Sequence, residues 1–137
     1  AETGTWTRLA ARGTPAAADP WMRHAARLAD IAQLLQPGGA DWLSQGGQAL
    51  HAGHGLGWCE MARGLLLYTV GLDRDGRVLG CRVLAPTEWN FHPMGPAARA
   101  LAALPADAPA LRVRALLAAY DPCVGVDIDR ALEPSHA

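Results

Sequence analysis

Lysine is missing from this chain of 137 residues; all twelve basic residues are arginine. Against 13 acidic residues they leave a formal net charge of −1, so no strong basic field invites nucleic acid or an anionic membrane surface. Cysteine is nearly as scarce. Cys59, Cys81 and Cys123 are odd in number, far apart and never form a CxxC pair. That pattern argues against a secreted disulfide framework and a closed zinc site, and it fits a reducing compartment such as the cytoplasm. No apolar run is long enough to span a bilayer, and no signal-peptide pattern opens the chain. The fingerprints GxGxxG, GxSxG, HExxH and the P-loop are all absent. The first residue is not methionine, so the expectation is a C-terminal fragment of a longer chain.

What is present describes one globular domain over 1–137. Half of the residues are hydrophobic and 18% are charged, which is too apolar for a disordered tail. Residues 1 to 19 read as an extended arm. Asp19-Pro20 then has the form of a helix start, with Asp as N-cap and Pro at the first helical position. Trp21, His24, Ala25, Leu28, Ile31 and Leu35 recur at helical steps and predict an amphipathic helix over 20–36, ended by Pro37-Gly38-Gly39. A second, shorter helix is expected over 40–50, with Trp42 and Leu43 inward. "HAGHGLGW" (51–58) reads as a glycine-rich loop.

Beyond it the period changes. Two apolar, β-branched runs flank Asp73-Arg74-Asp75-Gly76, and Asp-Gly is a strong hairpin signal. Residues 86 to 96 hold three prolines and read as an irregular loop. A short helix over 96–104 and a clearer one within 107–120 complete the chain. The fold class expected is α+β, mainly helical with a small antiparallel hairpin or sheet.

Several features invite chemistry and are better explained without it. Asp73-x-Asp75-Gly76 lacks the remaining ligands of a calcium loop and reads as a turn. His51-x-x-His54 has no third ligand nearby for zinc. The five tryptophans read as core or interface anchors rather than a stacking platform. Three places remain open between structural and functional readings. Glu60-Met-Ala-Arg63-Gly64 leads into an apolar strand, and its arginine either faces an anion or pairs with Glu60. Ala85-Pro86-Thr87 puts a hydroxyl at a strand end. Asp121-Pro122-Cys123 puts a thiol in turn-forming sequence near the chain end.

Read in order, "ETGTWTR" (2–8), "GLGWCEMARG" (55–64), "APTEWN" (85–90) and "YDPC" (120–123) resemble the C-terminal half of a [NiFe]-hydrogenase large subunit. That family carries ExGxxAR-like, GxGxxExPRG, P[ST]TWN and DPCxxCxxH segments. The resemblance spans nearly the whole chain and implies the fold of that half. It implies that Cys123 matches the first cysteine of the late motif, a metal ligand. Arg63 matches the arginine over the iron and its cyanides, Thr87 the hydroxyl toward a second cyanide, and Asp121 an acid near the metals that could pair with Arg63.

The departures carry equal weight. Val126 stands where the bridging cysteine belongs, Asp129 where the final histidine belongs, and Ala62 where a proline precedes the arginine. Without the bridging thiolate the usual nickel–iron centre cannot form. The remaining set most resembles the hydrogenase expression/formation proteins of the HupK/HoxV kind. The function this implies is a non-catalytic maturation scaffold that holds or transfers the Fe(CN)2CO unit. Its implied partners are hydrogenase maturation chaperones, the hydrogenase large subunit and its own N-terminal half, with no nucleic acid and no membrane. In an isolated fragment no cofactor is expected. The alternatives are a degenerate catalytic hydrogenase subunit and a metal-free interaction module of the same fold.

Overall fold

The structure, a computed structural model, describes residues 1–11 and 19–128. Two helices come first, α1 (Thr5–Ala10) and α2 (Pro20–Leu34), then a 3-10 turn over Gly39–Trp42. Four strands follow: β1 (Gln45–His51), β2 (His54–Met61), β3 (Gly64–Leu72) and β4 (Val78–Leu84). Helices α3 (Pro86–Asn90), α4 (Pro96–Ala102) and α5 (Ala110–Ala119) end the described chain. The strands form an antiparallel meander in the order β1-β2-β3-β4. The fold is α+β as expected. The sheet is larger than a hairpin, however, so "mainly helical" is corrected.

The start of α2 follows the sequence signal: the backbone nitrogen of Met22 donates to Asp19 Oδ1 at 2.7 Å. The β3–β4 hairpin does likewise. Asp73 Oδ1 accepts from the backbone nitrogens of Asp75 and Arg77, and Gly76 takes a left-handed φ of 78°.

Four expectations are corrected. The arm over residues 1 to 19 contains α1, and its residues 12–18 lie outside the described set. The helix expected over 40–50 is a single 3-10 turn followed by β1. Its glycines lower helix propensity, and pairing across β2 supplies the missing order: the Trp58 ring lies over Gly46, where a Cβ would come within 2.4 Å of it. The glycine-rich loop is the β1–β2 turn and most of β2. The irregular loop after residue 85 opens with a short helix, since Pro86 at its first position is pre-set for helical φ.

The apolar core is small and lies among the helices. Ala97, Leu116 and Tyr120 are buried there beside Phe91, Ala100, Leu101 and Leu104. Phe91 meets Tyr120 edge-on, with ring centroids 6.1 Å apart. Helix α2 turns the charged Arg23 and Asp30 to the interior on either side of the small Ala26. Its apolar stripe points outward, with Trp21 75% and Leu28 70% exposed. Within the strands only Gly64 is buried. No described helix is long and apolar enough to cross a membrane.

Candidate functional site

Three chain segments converge beside the sheet, and each is held by a distinct anchor. The first is the tight β2–β3 turn, Met61-Ala62-Arg63-Gly64, in which Met61 pairs with Gly64. Arg8 grips it from inside, with both Nη atoms 3.3 Å from the Met61 carbonyl oxygen. Arg8 is itself clamped in bidentate fashion by Asp30, at 3.0 and 2.8 Å, and Trp42 Nε1 donates to Asp30 Oδ1 at 2.6 Å. Burial alone disfavours the Arg8 charge. Hydrogen bonding and attraction from Asp30, with Glu60 behind it, outweigh burial and raise the arginine above its ordinary pKa.

The second segment is Ala85-Pro86-Thr87 at the start of α3. Its helix ends in Asn90, which is 2% exposed and clasps the backbone of Thr3 at both ends: Thr3 N donates to Oδ1 at 3.0 Å, and Nδ2 donates to the Thr3 carbonyl at 2.7 Å. The same Thr3 accepts the backbone N–H of Leu65 through Oγ1 at 2.8 Å. Residue 3 therefore ties β3 to α3. Gly64, at φ 131°, makes room for it, since a Cβ there would lie 2.7 Å from Thr3 Oγ1.

The third segment follows α5. Arg27 Nη2 donates to the last carbonyls of that helix, Ala118 and Ala119, at 2.9 and 2.8 Å. Tyr120 is buried; its hydroxyl donates to the Pro96 carbonyl at 3.2 Å, and the Arg23 guanidinium sits 4.4 Å above its ring. Burial raises the Tyr120 pKa, opposed in part by the Arg23 charge. Arg23 is held by Glu2 at 2.8 and 2.7 Å. Asp121 then takes φ 51°, a left-handed turn that aspartate tolerates, and Pro122 prevents the helix from resuming. Cys123 emerges beyond it.

These segments wall a cavity of about 250 Å³, lined by Met61, Ala62, Arg63 and Leu66 on one side, Ala85, Pro86 and Thr87 on the other, and Cys123. Thr87 Oγ1 lies 3.2 Å from Cys123 Sγ, and the Cys123 backbone nitrogen lies 3.4 Å from the same oxygen. Arg63 Nε donates to the Asp121 carbonyl at 3.1 Å and stands 3.4 Å from its carboxylate. Arg63 therefore pairs with Asp121. Glu60 turns away to the Ser44 backbone nitrogen, at 2.8 Å, and to Arg8.

The structure thus brings Arg63, Thr87 and Cys123 to one cavity and places Asp121 as the support of Arg63. Val126 does not line this cavity; it faces a separate depression with Pro122, Val124 and Ile128. Asp129 lies outside the described residues. Among the described residues no three His, Cys, Asp or Glu side chains gather as a metal site. Cys59 and Cys81 lie on β2 and β4, away from the cavity lining. The Arg8–Asp30–Trp42 chain and the Thr3–Asn90 clasp have no local signature, because their members are distant in sequence. The charged residues at the apolar-face boundary of α2 were the available hint.

A thiol beside a hydroxyl, under a guanidinium and against apolar walls, defines a pocket suited to a small ligand that accepts both a soft donor and hydrogen bonds. Comparison with known proteins narrows the field. The chain is 43% identical over 145 residues to the hydrogenase expression/formation protein HoxV of Cupriavidus necator, a match covering 95% of this chain and 38% of that protein. It is 45% identical over 147 residues to the hydrogenase expression/formation protein HupK of Bradyrhizobium diazoefficiens, covering 99% and 40%. The HupK protein of Rhizobium leguminosarum bv. viciae is 38% identical over 141 residues. The chain is thus a homologue of one part of these proteins and spans about two fifths of their length. No family model matches the chain, and no solved structure matches it significantly.

Proposed function

We propose that the chain serves hydrogenase maturation as part of a non-catalytic scaffold, and that the cavity between Arg63, Thr87 and Cys123 receives the Fe(CN)2CO unit as cargo. The single observation that carries this reading is the convergence of the thiol and hydroxyl at 3.2 Å with the guanidinium in one cavity. The similarity to proteins named for hydrogenase expression and formation supports the process. The large-subunit-like motif order supports the cargo.

The donor set fits that cargo in kind. Low-spin iron favours a thiolate, which Cys123 can supply. Arg63 spends Nε on Asp121, and its two terminal nitrogens remain free among the described residues to donate to cyanide nitrogen. Thr87 has one hydroxyl proton. It can serve either the sulfur or a cyanide, and a hydroxyl rotates between them at little cost. Apolar Leu66, Ala85 and Pro86 would shield the carbonyl side from water. One thiolate does not complete an iron coordination shell, so further donors come from polypeptide outside this chain. Nickel retention and hydrogen turnover would need the bridging thiolate that Val126 cannot give.

The experiment is infrared spectroscopy of the full-length protein from a maturation-competent host. Cyanide and carbonyl stretches are expected, and Cys123→Ser should abolish them. A folded wild-type protein with no such bands refutes the cargo and favours a metal-free interaction module.

A further inference from the structure

The outer strands of the sheet are bare, while β2 and β3 are half-buried. Every residue of β1 and β4 is exposed, although β4 is apolar. Successive strand residues point to opposite faces. The pairing slips at a bulge: Val78 (64% exposed), opposite Leu72, shares a face with Cys81 and Val83 (47%), Leu79 (71%) is the extra residue, and Leu84 (37%) lies on the other face with Gly80 and Arg82. Among the described residues no strand lies beside the outer edge of β4, and the strand carries no proline to blunt it. The apolar stripe of α2 adds Trp21 and Leu28. Apolar surface on this scale marks an interface in a soluble chain.

The relatives contain a body large enough to cover this surface: about three fifths of their length lies outside the match. We propose that the β4 edge, with the exposed Val78, Leu79 and Val83, is the docking surface for a polypeptide equivalent to that unmatched part. The occupant is a folded, apolar-faced protein segment that covers this strand. This inference is independent of the cargo and can fail without it.

Cys81 is an exposed thiol in the middle of β4 and reports directly on coverage. The test replaces the matched region of the Cupriavidus necator relative with this chain and follows iodoacetamide alkylation of Cys81 by mass spectrometry. Against the isolated chain, alkylation in the chimera is expected to slow by at least about tenfold, as for a segment withdrawn from solvent. Leu79→Lys with Val83→Lys should restore the fast rate. Both side chains are exposed, so the isolated double variant should keep its circular dichroism and melting temperature.

Four results would overturn the proposal. One is a folded chimera in which Cys81 reacts as fast as in the isolated chain. Another is protection that the double variant leaves intact. A third is a chimera that cannot fold although the relative itself does. The last is an isolated chain that sediments as a dimer, protects Cys81 and dissociates on Leu79→Lys, which would make a second copy the occupant.

Discussion

Thr87 Oγ1 stands 3.2 Å from Cys123 Sγ while the Cys123 backbone nitrogen approaches the same oxygen at 3.4 Å, so one hydroxyl positions both the thiol and the chain that carries it. Its methyl group has no part in either contact. Thr87→Ser should therefore retain the infrared bands of bound Fe(CN)2CO, and Thr87→Val should lose most of their intensity. Equal intensity in the two variants would remove the hydroxyl from the site.

Arg63 and Asp121 separate function from stability. Their side chains are 47% and 35% exposed, so solvent screens the pair and it is worth at most about 1 kcal/mol. Arg63→Gln should shift the urea midpoint only slightly yet sharply lower cargo occupancy in the full-length protein. Arg63→Lys should rescue occupancy poorly, because a single ammonium cannot hold Asp121 and donate into the cavity with the same geometry.

Arg8 and Asp30 make the opposite case, with both side chains 3% exposed. Removing Asp30 leaves the buried Arg8 charge with only the longer contact to Glu60 and the Met61 carbonyl. Asp30→Ala should cost roughly 3–5 kcal/mol in urea unfolding, and the Arg8→Met, Asp30→Leu double variant should recover a good part of it. A loss below about 1 kcal/mol for Asp30→Ala would show that water reaches the pair.

Gly64 and Gly76 both adopt positive φ, but only Gly64 is crowded. A Cβ at Gly64 would press on Thr3 Oγ1, whereas nothing lies within 4 Å at Gly76. Gly76→Ala should cost about 1 kcal/mol, the left-handed penalty alone. Gly64→Ala should cost more and should speed amide exchange at Leu65, whose N–H depends on Thr3. Chemical denaturation and hydrogen exchange would measure both.

Tyr120 gives the chain an alkaline limit. Its folded pKa is raised above 10, chiefly by burial, so the native state holds the phenolic proton more tightly than the unfolded chain does. That contribution is complete below pH 10 and is lost as pH rises from there through the folded pKa. Tyr120→Phe should lower stability at neutral pH by about 1 kcal/mol through the missing bond to Pro96, and it should flatten the decline above pH 10. Melting temperatures across pH 8 to 11 would show it.

Local signals in the sequence were followed faithfully. Asp19-Pro20 starts a helix and Asp73 to Gly76 turns a hairpin, because both depend on side chains bonding to backbone a few residues away. Arg63, Thr87, Asp121 and Cys123 stood out as polar residues beside turns, and they lie at the ends of three segments that meet. What could not be read depends on distant partners. Gln45 to His51 becomes a strand only against β2, and Gly46 is suited to it only under the Trp58 ring. The outward stripe of α2 defies its periodicity, since Glu2 and Asp30 draw the charged face of the bundle inward through Arg23 and Arg8. Apolar spacing shows which side chains share a face, and it is silent on which face the rest of the protein will cover.

Residues 1 to 4 touch every wall that matters: Glu2 holds the arginine stacked on Tyr120, and Thr3 bonds both the strand after Arg63 and the helix that carries Thr87. They work as a drawstring. A tug of an ångström on this short thread would reach the guanidinium, the hydroxyl and the thiol together, so whatever pulls on it could loosen or tighten the grip on a guest without touching the guest itself.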